Sequence, residues 1–450
     1  MKTVGLYWLT TDLRLHDNRN WINACCQADE LLCVYCLDPA LLEPNRYGLN
    51  LMSANRWRFL KEFLQSLDKQ LQRIGQHLLV VYQHPVDGIT RLVSEYDVSV
   101  IYHSRQVGFY ERRQLLALKN SLPKVRFDDC DTKTLFKTEQ LPFPLTKFPA
   151  SFTEFRHRVE HLGVDEPLPA PTSLPPSPMA KQNWLFDFPA YLELTSELDH
   201  QQPFFGSEVA GLQHLANYFT AEHASFYKET RNALDGWHNS TKFSPWLANG
   251  SLSARLILSD LKAYERTRVA NESTYWIGFE LLWREYFQWY ALCHGRRLFA
   301  FKGIKNSKPL TSFYAERFQR WCRGDTPYPL VNACMNQLNA TGYMSNRGRQ
   351  IVASCFVNEL ELDWRFGAAY FEQQLLDYDV ATNWGNWQYL AGVGADPRGK
   401  RHFDIENQTR QYDPEHSFIQ QWAAGIHPTC IDSVDAADWP IQPSPWILSA

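Results

Sequence analysis

The sequence predicts an α/β domain built on a parallel sheet, followed by a domain made of helices. Through the first 130 residues, strand-length apolar runs alternate with helix-length amphipathic segments, as in a parallel sheet covered by helices. A proline-rich stretch, P-L-P-A-P-T-S-L-P-P-S-P, follows at residues 167–178. From about residue 206 to about residue 376, apolar residues recur at helical spacing.

The predicted strands all lie within residues 1–130, the predicted α/β domain. They are residues 4–9, 31–37, 77–82, 98–103 and 124–129, and residues 52–74 and 110–121 have helical periodicity. No G-x-G-x-x-G follows the first strand, which argues against a dinucleotide site of the usual type. Cys33 and Cys36 have a metal-like spacing, but they fall within a predicted strand, so core packing is favoured over a zinc site.

The rest of the chain divides into a linker, a helical domain and a tail. Residues 131–205 are predicted to be an interdomain linker, because proline removes backbone donors. Residues 206–425 form the predicted helical domain, and residues 426–450 an irregular tail. The predicted helices there include residues 212–227, 274–293, 309–323, 330–341 and 347–360.

Charge and cysteine content limit the possible partners and compartment. The net charge of −4 gives no overall attraction to nucleic acid. Residues 281–310 carry six basic residues and one acidic residue, a local charge of +5 that fits either a solvated surface or a phosphate contact. With no signal peptide, no apolar run of membrane-spanning length and no disulfide framework, a cytoplasmic protein with reduced thiols is expected, with no membrane contact.

The segment D-Y-D-V-A-T-N-W-G-N-W-Q-Y, residues 377–389, places carboxylates and an amide among aromatic rings. Asp377 and Asp379 could bind a metal, but residues 380–401 add only Asp396 as a further acidic ligand. The alternative is a flat heteroaromatic ligand with polar edges, which Asp379 and Asn383 remain free to contact. This second interpretation is favoured, and no metal is expected.

The segment S-T-K-F-S-P-W-L-A-N-G, residues 240–250, has the pattern of a phosphate-binding helix start. Ser244 is a good N-cap residue and Gly250 a good helix terminator. Ser240, Thr241 and Lys242 would bring hydroxyls and a cation to the positive helix end. An ordinary capped helix also explains the same residues, and from this segment alone it is the favoured interpretation.

Residues 280–287, E-L-L-W-R-E-Y-F, place Glu280, Trp283 and Arg284 on one helical face. Glu280 and Arg284 could form a surface ion pair. A tryptophan between them instead suggests the wall of a cleft.

The segment N-R-G-R-Q, residues 346–350, places Asn346, Arg349 and Gln350 on one face of another helix. Arg349 could pair with Asp377. Gly348 costs helix stability, which either a close ligand or tight helix packing would explain.

These segments, in this order, resemble the photolyase/cryptochrome family. The resemblance extends to L-Y-W-L-T-T-D-L-R-L-H-D-N at residues 6–18 and to residues 321–349, and covers residues 3 to about 422. Within the family, the sequence is most similar to the DASH-type cryptochromes. The resemblance implies a Rossmann-like, antenna-binding α/β domain followed by an all-helical domain that binds FAD in a U-shaped conformation.

The resemblance also implies roles for individual residues. Arg349 and Asp377 match the ion pair beside the isoalloxazine, Asp379 the acid facing the ring, and Asn383 the residue opposite flavin N5. Residues matching the other cofactor contacts are Tyr227, Ser240, Thr241, Lys242, Phe243, Ser244, Glu280, Arg284 and Asn346. Residues matching the tryptophan relay from the protein surface to the flavin are Trp387, Trp364 and Trp321.

The implied reaction is blue-light-driven repair of cyclobutane pyrimidine dimers by electron transfer from reduced FAD. Glu280 and Asn346 match catalytic contacts to the dimer. The predicted DNA contacts are Trp283, Arg347, Gln350 and Tyr389. Gln350 and Tyr389 replace the methionine and tryptophan of DNA photolyases, which makes the pocket more polar and predicts a preference for single-stranded damaged DNA.

The resemblance further implies an antenna chromophore, expected to be 5,10-methenyltetrahydrofolate, with Glu111 as a contact or else an ordinary surface residue. The protein is expected to act as a monomer, and RNA binding stays open. An alternative function is that of a blue-light photoreceptor signalling through a partner. A (6-4) photoproduct enzyme is set aside, because residues 346–350 and 383–389 contain no histidine.

Overall fold

A computed structural model describes residues 2–179, 204–396, 399 and 401–425, so the predicted tail, 426–450, lies outside the described residues. The N-terminal part contains one five-stranded parallel sheet in the order β3-β2-β1-β4-β5. Its strands are β1 Val4–Leu9, β2 Glu30–Leu37, β3 Leu78–Tyr82, β4 Val100–Ser104 and β5 Arg126–Cys130. All five predicted strands are therefore confirmed, with bounds shifted by two residues at most.

Both faces of the sheet are covered, which explains why the strands are almost continuously apolar. Along β1, Tyr7 and Leu9 belong to one buried cluster, whereas Leu6 and Trp8 belong to another. The helices around the sheet are α1 Arg19–Gln27, α2 Ala54–Arg73, α3 Pro85–Tyr96 and α4 Phe109–Ser121. The first cluster continues into the helical part of the molecule, whereas the second is completed by α3 and α4.

The stretch predicted as a linker is packed against the rest of the molecule where the structure describes it. It contains the helix α5, Phe152–Val159, whose Phe152, Phe155 and Val159 are buried. Its proline-rich end also bonds to the sheet domain, because the Leu31 amide donates to the Pro176 carbonyl at 3.0 Å. Proline keeps its carbonyl, so it serves as an acceptor here.

The remaining helices that the structure describes lie after residue 204 and form the second part of the molecule. They are α6 Glu208–Thr220, α7 Tyr227–Thr230, α8 Ser244–Asn249, α9 Ala254–Thr267, α10 Glu272–His294, α11 Ala315–Arg323, α12 Pro329–Thr341, α13 Asn346–Asn358, α14 Trp364–Gln374, α15 Val380–Leu390, α16 Ile405–Tyr412 and α17 Ser417–Ala423. Two predicted bounds were wrong. Residues 309–314 precede α11 without helical structure, and the predicted helix 212–227 ends at Thr220, with a 3-10 turn before α7.

Buried charged residues join the two parts. Arg14, only 1% exposed, donates to the carbonyls of Asp17, Thr132 and Gly250 at 2.7–2.9 Å. Asp17 in turn pairs with Arg255 at 2.9 Å. Such buried pairs hold a defined geometry because separating them would leave a charge without compensation. Within the described residues, no helix is both long and apolar enough to cross a membrane.

Candidate active site

A cavity of about 310 Å³ lies among the helices of the second part. Most of the predicted site residues line it. They are Tyr227, Thr241, Phe243, Ser244, Glu280, Arg284, Asn346, Arg349, Gln350, Asp377, Asp379, Asn383, Trp387 and Tyr389. The predicted residues outside this lining are Ser240, Lys242, Trp283, Trp321, Arg347, Trp364 and Glu111.

The segment predicted to bind phosphate forms the short helix α8, which begins at Ser244. The N-cap residue is Phe243 and not Ser244, and it makes no side-chain capping bond. Gly250 ends the helix in the left-handed conformation, with φ of 73°, as predicted. Lys242 lies against Tyr343, with its Nζ 3.2 Å from the hydroxyl, so it does not bring its charge to the cavity. Thr241 and Ser244 are left as the lining hydroxyls.

The predicted ion pair is present: Arg349 Nη2 lies 2.8 Å from Asp377 Oδ2. Arg349 also donates from Nε to the Met344 carbonyl at 2.9 Å, which fixes its orientation. The other oxygen of Asp377, Oδ1, is buried without a hydrogen-bond partner in the described chain. A buried acceptor of this kind calls for a donor, and Asp377 lines the cavity.

Asp379 is not free, contrary to the prediction. Its Oδ1 accepts from the Thr382 amide at 2.9 Å, capping α15, and from Gln288 Nε2 at 2.8 Å. Its Oδ2 pairs with Lys133 Nζ at 3.2 Å. Burial acts to raise the pKa of Asp379, but the charges of Lys133 and Arg284 outweigh burial and bring the pKa to about 2. Asp379 therefore lines the cavity as a carboxylate whose two oxygens are both bonded to protein, and its low pKa keeps it ionised at neutral pH.

Asn383 lies one helical turn after Asp379 on the same wall. Its side-chain Nδ2 donates to the Ala368 carbonyl at 2.9 Å, in the neighbouring helix α14. This bond identifies Oδ1 as the side-chain atom left to contact a ligand.

Glu280 does not pair with Arg284 on the surface. It pairs with Arg231, at 2.6 Å, a residue that the sequence analysis missed. Burial raises the pKa of Glu280, and the charge of Arg231 opposes this shift. Arg284 instead donates to the Lys133 carbonyl at 2.6 Å. The proximity of a carboxylate in α10 to an arginine beyond α7 is a tertiary contact, so no local pattern could have indicated it.

The predicted DNA-contacting aromatics are partly occupied by protein neighbours. Trp283 stacks on Phe152, with ring centroids 3.7 Å apart and an interplanar angle of 13°. Tyr389 carries the Arg401 guanidinium 4.7 Å above its ring and accepts a hydrogen bond from it. Arg401 lines the cavity and was also missed. Each of these two rings therefore has one face in contact with protein.

Arg347 and Gly348 lie at the start of α13 but outside the lining. Arg347 donates to Asn232 Oδ1 at 3.1 Å and lies 4.7 Å from the ring centroid of Tyr412. A Cβ on Gly348 would stand 2.9 Å from Met344 Cγ and 3.2 Å from Cys334 Sγ. Tight packing within the protein explains this glycine without a ligand.

The three relay tryptophans do not follow one another as a path to the surface. Trp387 lines the cavity, and its ring centroid lies 6.2 Å from that of Trp321. Trp321 and Trp364 are both fully buried. The side chain of Trp321 is enclosed next to Trp387, so Trp321 does not itself reach the surface. Trp364 instead contacts Trp384, at 5.9 Å.

A second cavity, of about 580 Å³, lies between the sheet domain and the helices. Glu111 lines it, and Glu111 Oε2 is buried without a hydrogen-bond partner in the described chain. Burial raises the pKa of Glu111. The two cavities share Ala248, Tyr378 and Asp379 in their linings, so a thin wall separates them. No group of metal-binding side chains occurs among the described residues.

The main cavity has the chemistry that a flavin requires. The unpaired acceptor on Asp377 suits a ring N–H, and the remaining oxygen of Asn383 suits a polar ring edge. Arg349 supplies positive charge beside them, while Leu247, Ala353 and Phe371 supply apolar walls. The residues present therefore fit a flat heteroaromatic cofactor with polar edges.

Comparisons with known proteins agree with this fit. A family model described as DNA photolyase matches residues 5–173, and one described as FAD binding domain of DNA photolyase matches residues 276–439. Cryptochrome DASH of Idiomarina loihiensis is 51% identical over 442 residues, covering 98% of this chain and 97% of that protein. Cryptochrome DASH of Vibrio parahaemolyticus is 49% identical over 443 residues, covering 98% of each chain.

Solved structures have the same fold. The cryptochrome of Synechocystis sp. superposes with a TM-score of 0.88 at 39% identity, covering 94% of this chain and 88% of that chain. An archaeal photolyase from Sulfolobus tokodaii, described with two FAD molecules, has a TM-score of 0.76 at 25% identity, covering 94% and 90%. FAD is the cofactor of the helical part. The chain belongs to the photolyase/cryptochrome family and, within it, to the DASH-type cryptochromes.

Proposed function

We propose that this protein repairs cyclobutane pyrimidine dimers under blue light, with a preference for single-stranded DNA. The observation that carries the proposal is the composition of one cavity. Residues matching flavin contacts, Arg349, Asp377 and Asn383, share it with Glu280 and Asn346, which match contacts to the dimer. A single cavity lined by both sets would hold donor and substrate within electron-transfer distance.

Bound reduced FAD would supply the electron when excited by blue light. Glu280 would act on the substrate, because a carboxyl group whose pKa is raised by burial is protonated more readily and can then donate a hydrogen bond. Donation to a dimer carbonyl stabilises the negative charge that develops there. Arg231 holds Glu280 at 2.6 Å and so positions it.

The preference for single strands is supported by the neighbours of two aromatic residues. Phe152 occupies a face of Trp283, and Arg401 occupies a face of Tyr389. Stacking contributes about 1–3 kcal/mol per base. Extruding a dimer from a duplex costs a few kcal/mol, whereas binding a dimer in a single strand costs least. In a pocket with reduced stacking surface, the stacking energy would offset the cost of extrusion only when the dimer lies in a single strand.

Basic residues of the positively charged segment, residues 281–310, are proposed to contact the DNA backbone. Of the positively charged segment, Arg284 points inward to the Lys133 carbonyl. The exposed members are Arg296, Arg297, Lys302, Lys305 and Lys308. Binding through them would weaken as salt increases, because each phosphate contact releases counterions.

The second cavity is proposed to hold an antenna chromophore, 5,10-methenyltetrahydrofolate. The unpaired Glu111 oxygen suits an N–H donor of a pterin ring. Absorption spectra of the protein as purified, with and without added folate, would identify the occupant. A folate band lost in Glu111→Gln supports the proposal, whereas a second equivalent of FAD or an empty cavity contradicts it.

The test of repair uses purified protein with chemically reduced FAD under blue light, and one dimer-containing oligonucleotide offered as single strand and as duplex. Glu280→Gln is the test variant. Glu272→Gln, on an exposed carboxyl of the same helix, is the matched control. We expect repair of the single strand by the wild type and the control, and a strong loss in Glu280→Gln.

Other outcomes would be equally decisive. Equal repair of the duplex would show that Trp283 and Tyr389 do not weaken the pocket. Repair of neither substrate by a protein with bound, reducible flavin would favour the alternative, a photoreceptor that signals through a partner.

A further inference from the structure

A further tryptophan, Trp384, packs against Trp364 of the predicted relay. Trp364, at the start of α14, is fully buried and donates its indole N–H to the Phe301 carbonyl at 3.0 Å. The aromatic ring next to it is that of Trp384, at a centroid distance of 5.9 Å and an interplanar angle of 76°. Trp384 thus continues a path beyond Trp364.

Trp384 differs from Trp364 and Trp321 in its hydrogen-bond acceptor. Its Nε1 donates to the Glu372 carboxylate, with 3.2 Å between Nε1 and Oε2. Trp364 and Trp321 donate to backbone carbonyls, at 3.0 and 3.1 Å. A carbonyl accepts a hydrogen bond but is too weak a base to take the proton, whereas a carboxylate can take it.

This difference matters once an indole has lost an electron. The oxidised ring is a cation, and its N–H becomes strongly acidic. If the proton moves to a carboxylate, a neutral radical remains, and the electron can return only together with the proton. Return of the electron is therefore slowed at Trp384, whose N–H already meets a carboxylate.

We propose that Trp384 and Glu372 form the terminus of the electron relay that reduces the flavin in light. An electron passes from Trp384 to its neighbour Trp364. It then follows the step from Trp364 to Trp387 that the family resemblance implies, and passes from Trp387, at the cavity wall, to the bound flavin, which gains one electron. The N–H bond of Trp384 breaks as an O–H bond forms on Glu372. A thiol reductant from solution later returns one electron to Trp384, and the proton returns from Glu372. The inference rests on the light-driven flavin chemistry of the proposed function.

The surroundings of Glu372 suit a proton acceptor. Burial raises its pKa to about 7, with Arg56 acting in the opposite direction and Glu111 in the same direction. Tyr378 and Trp384 donate hydrogen bonds that lower the pKa. A base is most effective when its pKa lies near the working pH.

The terminus also lies beside the second cavity. Trp384 and Glu372 line this cavity of about 580 Å³, together with Tyr47, whose ring centroid lies 6.3 Å from that of Trp384. Trp384 is itself 2% exposed, so in protein without a bound antenna chromophore this cavity is the side from which a small reductant would reach it.

The experiment is flash photolysis of protein loaded with oxidised FAD, at a pH above the Glu372 pKa of about 7. Transient absorption separates the protonated from the deprotonated tryptophan radical, and infrared difference spectra detect proton arrival on a carboxylate. The wild type should form the deprotonated radical, with a carboxyl band and a slower rise in deuterium oxide. Trp384→Phe should shorten the lifetime of the charge-separated state several-fold.

Two further variants separate proton transfer from packing. Glu372→Gln keeps an acceptor oxygen for the indole but removes the base, so the radical should stay protonated and recombine several-fold faster. Trp289→Phe is the matched control, since Trp289 is another buried indole that donates to a carboxylate, Glu285, at 2.7 Å. It should behave as the wild type.

An unchanged radical lifetime in both Trp384→Phe and Glu372→Gln, with flavin still bound, would overturn the inference. Repair of a single-stranded dimer by chemically reduced protein is measured in parallel, because that reaction bypasses the relay. If the wild type did not repair the dimer but still formed the deprotonated tryptophan radical, the proposed function would be contradicted and this inference would stand.

Discussion

Asp377 and Asp379 are two residues apart at the flavin cavity, yet their hydrogen bonding assigns them different tasks. Asp377 uses one oxygen for Arg349 and keeps the other without a partner in the described chain. Asp379 uses both oxygens, for Lys133, Gln288 and the start of α15. Asp377 is therefore the one equipped to bind the cofactor, and Asp379 holds the wall in place.

At the residue scale, Asp377→Asn should lower the amount of FAD that copurifies with the protein. The substitution removes the negative partner of Arg349 and weakens the unpaired acceptor Oδ1 that faces the cofactor. The measurement is the absorbance ratio of flavin to protein. Asp363→Asn is the control, because Asp363 also pairs with an arginine, Arg365, at 2.6 Å, and asparagine caps a helix as well as aspartate does. Equal flavin content in both variants would contradict the assignment.

At the scale of the element, helix α10 uses successive residues for different contacts. Glu280 faces the cavity, Trp283 stacks on Phe152, and Glu285 is fully buried. Glu285 accepts from the amide of Leu135 at 2.8 Å, so one carboxylate ties the segment after β5 to the helix. The same helix thus builds both the site and the contact between the two parts.

Glu285 should make stability depend on pH. Burial raises its pKa from 4.5 to about 7, despite the hydrogen bonds that oppose the shift. The folded protein therefore binds this proton more tightly than the unfolded chain, and the contribution present at low pH is lost as pH rises through about 7. Relative to Glu285→Gln, the wild type should lose about 3 kcal/mol of unfolding free energy as the pH rises from 4.5 to about 7. Denaturant unfolding at several pH values measures this loss. If the pH profiles of the wild type and Glu285→Gln were parallel, the prediction would be contradicted.

The end of α8 is also held by a close contact. Gly250 has φ of 73°, and a Cβ there would stand 2.0 Å from the Thr11 carbonyl oxygen, in the loop after β1. Gly250→Ala should lower the free energy of unfolding by about 3 kcal/mol, from backbone strain plus displacement of that loop. Gly75→Ala is the control, since Gly75 has φ of 82° with nothing within 4 Å. Thermal melts that shift equally would show that the contact is unimportant.

On the scale of the whole molecule, two cavities meet at a shared wall. Ala248, Tyr378 and Asp379 line both, and Lys133, from the segment after β5, pairs with Asp379 from the helical part. The side chains of Lys133 and Asp379 are 8% and 5% exposed. An ion pair this deeply buried joins the cofactor cavity, the second cavity and the two parts of the fold.

Lys133→Met should destabilise the whole protein by about 3 kcal/mol, because it leaves a buried carboxylate unpaired. The pKa of Asp379 is depressed to about 2, so its stabilising contribution is present at neutral pH and lost as pH falls towards 2. Without Lys133, this loss should begin at a higher pH. The free energy of unfolding of the wild type and Lys133→Met, measured from neutral to acid pH, tests this shift. Lys2→Met, which breaks the exposed pair with Glu30, is the control and should have little effect.

Through the family resemblance, the sequence indicated the Arg349–Asp377 pair. By itself it determined the strands and the end of α8 at Gly250. Local periodicity and residue chemistry specify these features, because a buried strand needs an apolar run and a left-handed helix end favours glycine. It also indicated most of the lining of the flavin cavity through the family resemblance.

Only the tertiary structure decided which distant groups meet. Arg231 at Glu280, Lys133 at Asp379 and the enclosure of Trp321 are contacts between separate elements. The packing of Trp384 against Trp364 is of the same kind. Periodicity shows which face of a helix is buried but not which side chain of another element it meets. That choice depends on the packing of the whole core, which is settled only when all elements are in place.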